Sequence, residues 1–287
     1  MPIILSIETS TKACSAAIHQ DGKLLSVSEL NNEKSSSGML TTLIEHVVKT
    51  AGLTLQYIDA IAVAKGPGSY TGLRIGVSTA KGLCFTLEKP LIAINTLEAM
   101  AYQLSIGRHP AGRHSAGRHS AGRHPAGRHP AGRHPAGRHP AGRHPAGRHP
   151  AGRHSAVNYQ LGVSPLSLLL CPMLDARRME VYCAVYKADP LELLEPTQAK
   201  IIDETSFSNL FESHKIIFFG DGAEKCRASL GNDSNAVFVN EVVFPSAKSI
   251  GALATRSFEQ LQFENVADFE PFYLKEFVGT TPKKIII

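Results

Sequence analysis

The chain has 287 residues with a formal charge of +5, a basic balance that first suggests a nucleic-acid partner. That balance comes from residues 107–156, ten tandem copies of Gly-Arg-His-Pro/Ser-Ala; setting aside their ten arginines leaves 20 Lys and Arg against 25 Asp and Glu. The remainder is mildly acidic, so a purely electrostatic nucleic-acid argument rests on the repeat alone. There is no run of 18 apolar residues, and the start Met1-Pro2-Ile3-Ile4-Leu5 lacks a basic leader, so a cytoplasmic location without a membrane partner is expected. Five cysteines, none in a CxxC pair, suit reduced thiols.

In chain order, the pattern predicts strands over 3–7, 14–19 and 23–29, the last two joined by an Asp21-Gly22 hairpin turn. Leu40, Leu43, Ile44, Val47 and Val48 form one apolar stripe of a helix closed by Gly52. A strand over 60–64 runs into Gly66-Pro67-Gly68-Ser69-Tyr70-Thr71-Gly72-Leu73-Arg74-Ile75-Gly76. Pro67 fixes its own φ, Gly66 and Gly68 permit close backbone approach, and Ser69 or Thr71 is placed to cap a helix running to about Leu87. A strand over 91–94 and a helix capped by Asn95, with Glu98 three residues on, complete the first half.

The glycine loop invites a phosphate-binding reading, which the letters oppose. A P-loop requires Lys and then Ser or Thr after its last glycine, whereas Gly72 is followed by Leu73 and Arg74. A dinucleotide fingerprint requires Gly-x-Gly-x-x-Gly, whereas Gly66, Gly68 and Gly72 are one residue too far apart. A tight strand-to-helix turn remains the plain alternative.

The repeat has glycine in every unit and proline in seven of ten, a composition that excludes a continuous helix and offers nothing apolar beyond Ala. It is expected to be a disordered insertion in a surface loop, spanning roughly 40 Å as a flexible coil. Beyond it the order of the first half begins again: strands over 168–174, 180–186 and near 191–194, a helix near 205–211, a strand over 216–220, a turn at Asp221-Gly222 and a helix near 247–263. Each half sets an acid, Glu8 or Asp175, at the end of its first strand. Two related α/β lobes of mixed sheet follow, the second shorter, with an N-terminal lobe over 1–106, the insertion over 107–156 and a C-terminal lobe over 157–287.

Ile7-Glu8-Thr9-Ser10-Thr11, the glycine loop, Thr96-Leu97-Glu98-Ala99-Met100-Ala101, Leu174-Asp175-Ala176-Arg177, Glu180-Val181-Tyr182, Gly220-Asp221-Gly222-Ala223 and Phe269-Glu270-Pro271-Phe272-Tyr273-Leu274-Lys275 together resemble the TsaB (YeaZ) family. The resemblance covers nearly all of the chain outside the repeat. It implies the two-lobed fold of actin, Hsp70 and sugar kinases (the ASKHA type). It also implies a non-catalytic role in tRNA threonylcarbamoyladenosine biosynthesis, in which a TsaD-type paralogue transfers the threonylcarbamoyl group to the adenosine beside the anticodon and a TsaE-type ATPase joins the complex. The implied partners are therefore TsaD, TsaE, a second copy of the chain, and tRNA through the complex, with no cofactor.

Glu8 is followed by Thr9-Ser10-Thr11-Lys12 with no glycine, unlike the acid and glycine turn of kinases of that fold. Outside the repeat only His19, His46 and His214 occur, far apart, and no His-Glu-x-x-His is present, so a metal site is not expected. Ser35-Ser36-Ser37 stands where the family commonly has a His. The positions expected at a partner surface or in the family motifs are Glu8, Gly66, Pro67, Gly68, Ser69, Thr71, Gly72, Arg74, Gly76, Asp175 and Arg177. Three readings compete: a docking scaffold, an ATP-dependent kinase or glycoprotease-like enzyme of the same fold, and RNA contact through the repeat.

Overall fold

A computed structural model describes residues 1–31, 36–106 and 167–275; the repeat and the expectation that it is disordered lie outside them. β1 (Ile3–Glu8), β2 (Ala13–Gln20) and β3 (Lys23–Asn31) form an antiparallel meander, turned at Asp21 and Gly22 in the left-handed region as the Asp-Gly pair predicts. α1 (Ser36–Thr50), β4 (Ala60–Gly66), α2 (Tyr70–Leu87), β5 (Leu91–Asn95) and α3 (Thr96–Ile106) follow. β4 pairs in parallel with β1 and β5, which gives the order β3-β2-β1-β4-β5. At the start of α3, Asn95 Oδ1 accepts the Leu97 and Glu98 N–H groups at 2.9 and 3.2 Å, the cap that the sequence signalled.

The second sheet repeats the topology. β6 (Ser167–Asp175), β7 (Glu180–Ala188) and β8 (Leu191–Ile201) are the meander, and β9 (His214–Phe219) and β10 (Ala236–Phe238) add in parallel on the other side of β6. Between these strands α4 (Ser208–Phe211) and α5 (Arg227–Leu230) are single turns, and α6 (Ala247–Glu259) comes last. The fold is thus the expected two-lobed α/β arrangement of mixed sheets. β8 is longer than its apolar pattern indicates because its outer positions, among them Leu193 and Ile201, are exposed on an edge strand.

Both sheets are covered on both faces. On the first, Leu5, Ile7, Ile61 and Val63 pack with α1 and α2, while Ile4, Ala60, Ala62 and Ala64 meet Ile250, Leu253 and Ala254 of α6. The two-residue period of the strand assigns these sets to opposite faces, and the alanines of β4 let α6 lie close. On the second sheet, Cys171, Met173 and Cys183 pack with Phe207, Phe211 and Leu230, while Leu170, Leu174, Ile217 and Phe219 pack with Leu97, Met100 and Ala101 of α3. α3 and α6 are therefore the filling between the sheets, and α6, which follows the second sheet in sequence, belongs in space to the first.

The closest approach of α6 is at Gly251, where an added Cβ would overlap the His19 ring and come within 2.6 Å of Ser6 Oγ. His19 is buried on β2; burial pushes its imidazole down to about 4, against a backbone hydrogen bond with Lys248 that favours the charged form. His46 is exposed on α1, and His214 hydrogen-bonds the Leu210 carbonyl and Ser213. A Gly251→Ala chain is expected to lose about 1–3 kcal/mol of stability, read from urea unfolding midpoints, because a packed ring rather than a flexible side chain has to move.

Candidate functional site

The first-strand turns of the two lobes and their glycine loops carry the chemistry-bearing residues. In the first lobe Glu8 ends β1 with no exposed surface, its Oε1 accepting the Ser10 N–H at 2.5 Å, its Oε2 buried without a hydrogen-bond partner. Burial pushes its carboxyl up to about 7, with the hydrogen bonds from Ser10 and Thr9 acting in the other direction.

The glycine loop closes over this turn. The Ser69 N–H donates to the Ser10 carbonyl at 2.6 Å, and Thr9 Oγ1 donates to the Gly72 carbonyl at 2.8 Å. A Cβ at Gly68 would overlap the Ser10 carbonyl, one at Gly72 the Thr9 carbonyl, and one at Gly76 the Thr9 hydroxyl. Pro67 is buried beside them, and Gly66 takes φ +111°, where a Cβ would also crowd the Phe272 carbonyl at 2.9 Å. The glycines thus let two backbones of the same chain touch.

The first turn of α2 is capped from within. Gly72 N–H donates to Ser69 Oγ at 3.3 Å and Leu73 N–H to the Ser69 carbonyl at 2.9 Å, so these amides are directed into the chain rather than toward an anion. Thr71 and Arg74 are exposed; Arg74 donates to the Tyr70 hydroxyl at 3.1 Å and lies over its ring, 5.4 Å from the centroid. Farther along the helix, Ala80 is buried, whereas Gly82 faces open space and Phe85 is 83% exposed.

The second lobe has the same construction with a different electrostatic outcome. Gly220 takes φ +105° at the position matching Gly66, and a Cβ at Gly222 would lie 2.8 Å from the Leu174 carbonyl carbon. Asp175 matches Glu8 but is half exposed. Desolvation raises its pKa somewhat, yet hydrogen bonds from Lys225 and the Arg177 N–H outweigh this and hold it below the usual carboxylate range. Asp221 receives the Asp175 N–H at 3.0 Å; its own carboxyl is shifted upward by burial. Lys225 also donates to the Glu180 carbonyl at 2.7 Å, and Arg177 is exposed in the turn at φ +71°. Sequence reasoning had named Asp175 and Arg177 but not Lys225, whose signal would have been its place four residues after Asp221, on the loop that clasps β6. Among the described residues, no three His, Cys, Asp or Glu side chains are grouped to hold a metal ion, and all five cysteines are free and buried.

The family model for TsaD, tRNA N6-adenosine threonylcarbamoyltransferase, matches residues 30–121. The chain is 38% identical over 98 residues to the tRNA threonylcarbamoyladenosine biosynthesis protein TsaB of Haemophilus influenzae and 40% over 98 residues to that of Escherichia coli, in each case over 34% of this chain and 41% and 42% of the relative. It thus spans about two fifths of the length of the curated relatives it matches. It is also 38% identical over 124 residues to the tRNA N6-adenosine threonylcarbamoyltransferase of Protochlamydia amoebophila, over 38% of this chain and 36% of that protein. The solved structure of YeaZ from Pseudomonas aeruginosa covers 96% of this chain and 100% of its own, with a TM-score of 0.66 at 19% identity, a likeness of fold.

Over its first lobe the chain is similar to TsaB. The glycines of α2 and the buried acid make separable predictions. Gly72→Ala is expected to cost about 2–3 kcal/mol because backbone must move, while Gly82→Ala on the same helix is expected to gain about 0.5–1 kcal/mol, both read from chemical denaturation. Glu8 has a folded pKa above its unfolded one, so its contribution to stability is complete below about pH 4.5 and is lost as pH rises toward 7. Glu8→Gln is expected to remove that loss, up to about 3 kcal/mol, from unfolding measured at pH 4.5 and at pH 8.

Proposed function

We propose that this chain is a TsaB-type protein, the non-catalytic docking subunit of a tRNA threonylcarbamoyladenosine assembly. It presents α1 and α2 to a TsaD-type transferase, a TsaE-type ATPase joins the complex, and tRNA is engaged through it. The reaction served is threonylcarbamoyl transfer to the adenosine beside the anticodon of tRNAs reading codons that begin with adenine. The same helical face serves self-association when the paralogue is absent.

The observation that carries this reading is the division of α2 into two faces. Its inward small residues, Gly72, Gly76 and Ala80, are used up against Thr9 and the core, whereas its outward stripe runs Arg74, Ser78, Gly82 and Phe85. At the far end of that stripe a phenylalanine 83% exposed stands one turn from a glycine in open space, an apolar side chain that the fold leaves uncovered. The names of the curated relatives, the transferase among them, support the choice of partner. The inward-directed amides of the α2 start favour docking over the kinase reading.

Mixing the chain with a TsaD-type paralogue and following both complex formation and modified adenosine by mass spectrometry tests this. Phe85→Glu and Gly82→Arg are each expected to weaken the complex at least tenfold without lowering the thermal midpoint, since neither position is packed against the rest of the chain. A chain that neither binds the paralogue nor raises transfer would sink the reading. Heat evolved on titration with ATP and magnesium by the chain alone would favour the enzyme instead.

A further inference from the structure

Residues 264–275 follow α6 and cross the molecule from one lobe to the other. The Glu264 N–H donates to the Leu91 carbonyl at 2.9 Å on the edge of the first sheet, and Val266 and Phe269 pack against the first core. Lys81 of α2 holds the segment by donating to the carbonyls of Ala267 and Phe269 at 3.0 and 3.1 Å. The Phe272 N–H then donates to the Lys65 carbonyl at 2.7 Å, directly beside Gly66, and the Tyr273 ring lies 4.9 Å from that of Tyr70 at the start of α2. Two residues later Lys275 forms an ion pair with Glu180, the first residue of β7 in the second lobe.

We propose that residues 264–275 are a strap that latches the second lobe to the glycine-loop end of α2, with the Lys275–Glu180 pair as its clasp. The two ends of the strap are anchored with different strength. Its start is fixed by the half-buried Val266 and Phe269 packed on the first core and by backbone hydrogen bonds, whereas its end is an ion pair whose side chains are 38% and 23% exposed. An ion pair of that exposure is weak and is screened by salt, so it opens before the dry contact of α3 with the second sheet does. The clasp also reaches the second first-strand turn. The backbone carbonyl of Glu180 accepts Lys225, and Lys225 pairs with Asp175, so the clasp is set on the residue that adjoins the turn matching Glu8. Since Tyr273 rests on Tyr70, the clasp ties the lobe spacing to the first turn of α2. This inference does not depend on the docking role.

Spin labels placed on Ser78→Cys in α2 and Ser234→Cys in the second lobe report the lobe spacing, and the five native thiols are buried and do not compete for label. In the full chain, Lys275→Gln and Glu180→Gln are each expected to raise the population at longer label separation about threefold, and raising the salt to about 1 M is expected to do the same to the parent. The double variant is expected to match either single one, and Lys275→Arg to match the parent. Identical distance distributions for parent and both neutralised variants would overturn the latch. So would a double variant whose effect is the sum of the two singles, because two residues acting through one clasp cannot add.

Discussion

The hydrogen bond from the Ser69 amide to the Ser10 carbonyl, at 2.6 Å, fixes how near α2 lies to the β1 turn, and much of the first lobe follows from that distance. At such a separation no side chain fits on the facing surface of the loop and helix, which is why glycines occupy position 68 of the loop and positions 72 and 76 of α2 and why Thr9 can reach the Gly72 carbonyl. The helix in turn covers Glu8, and a carboxyl with no exposed surface and one unpartnered oxygen is driven toward its neutral form. A loop whose glycines suggest an anion cradle is, in this geometry, a contact of the chain with itself.

The second lobe shows what the same topology does without that closure. Its sheet order mirrors the first, and Gly220 and Gly222 stand where Gly66 and Gly68 do. There, however, the glycine loop leads into short turns rather than an 18-residue helix, and Lys225 comes forward to pair with Asp175. One acid is buried and shifted upward; its counterpart is half exposed and shifted downward. The difference lies in the covering element and in the available cation, not in the strand that carries the acid.

Much of this was legible in the letters because it is local. Asp21-Gly22 states a hairpin, Asn95 with Glu98 states a helix start, and the stripe from Leu40 to Val48 states a face. The repeated acid at the end of the first strand of each half was enough to suggest two related lobes. What stayed hidden depends on residues distant in sequence. Nothing local in 247–259 says that the helix leaves the second sheet for the first, since its apolar side is satisfied equally well by either. The three-residue β10 and the single turn α5 are too short to carry a period, and of the helix expected near 205–211 only the single turn α4 forms. In the site, the glycine spacing was readable, but its purpose was not, because the backbone that the glycines admit, Thr9-Ser10, lies some sixty residues earlier.

The small residues of α2 make the distinction between shape and surface concrete. A run of Gly, Ala and Ser along a helix is one pattern in sequence, yet the helical period splits it into a set that faces Thr9 and the core and a set that faces outward. Only the outward set is available to another molecule, and it is there that Phe85 is exposed without an intramolecular role in the core. The inward set specifies where α2 sits, and therefore where Phe85 is presented. In the docking we propose, a substitution at Gly72 acts by moving the helix, whereas one at Gly82 acts by occupying the surface, so loss of stability and loss of binding separate the two faces of one helix.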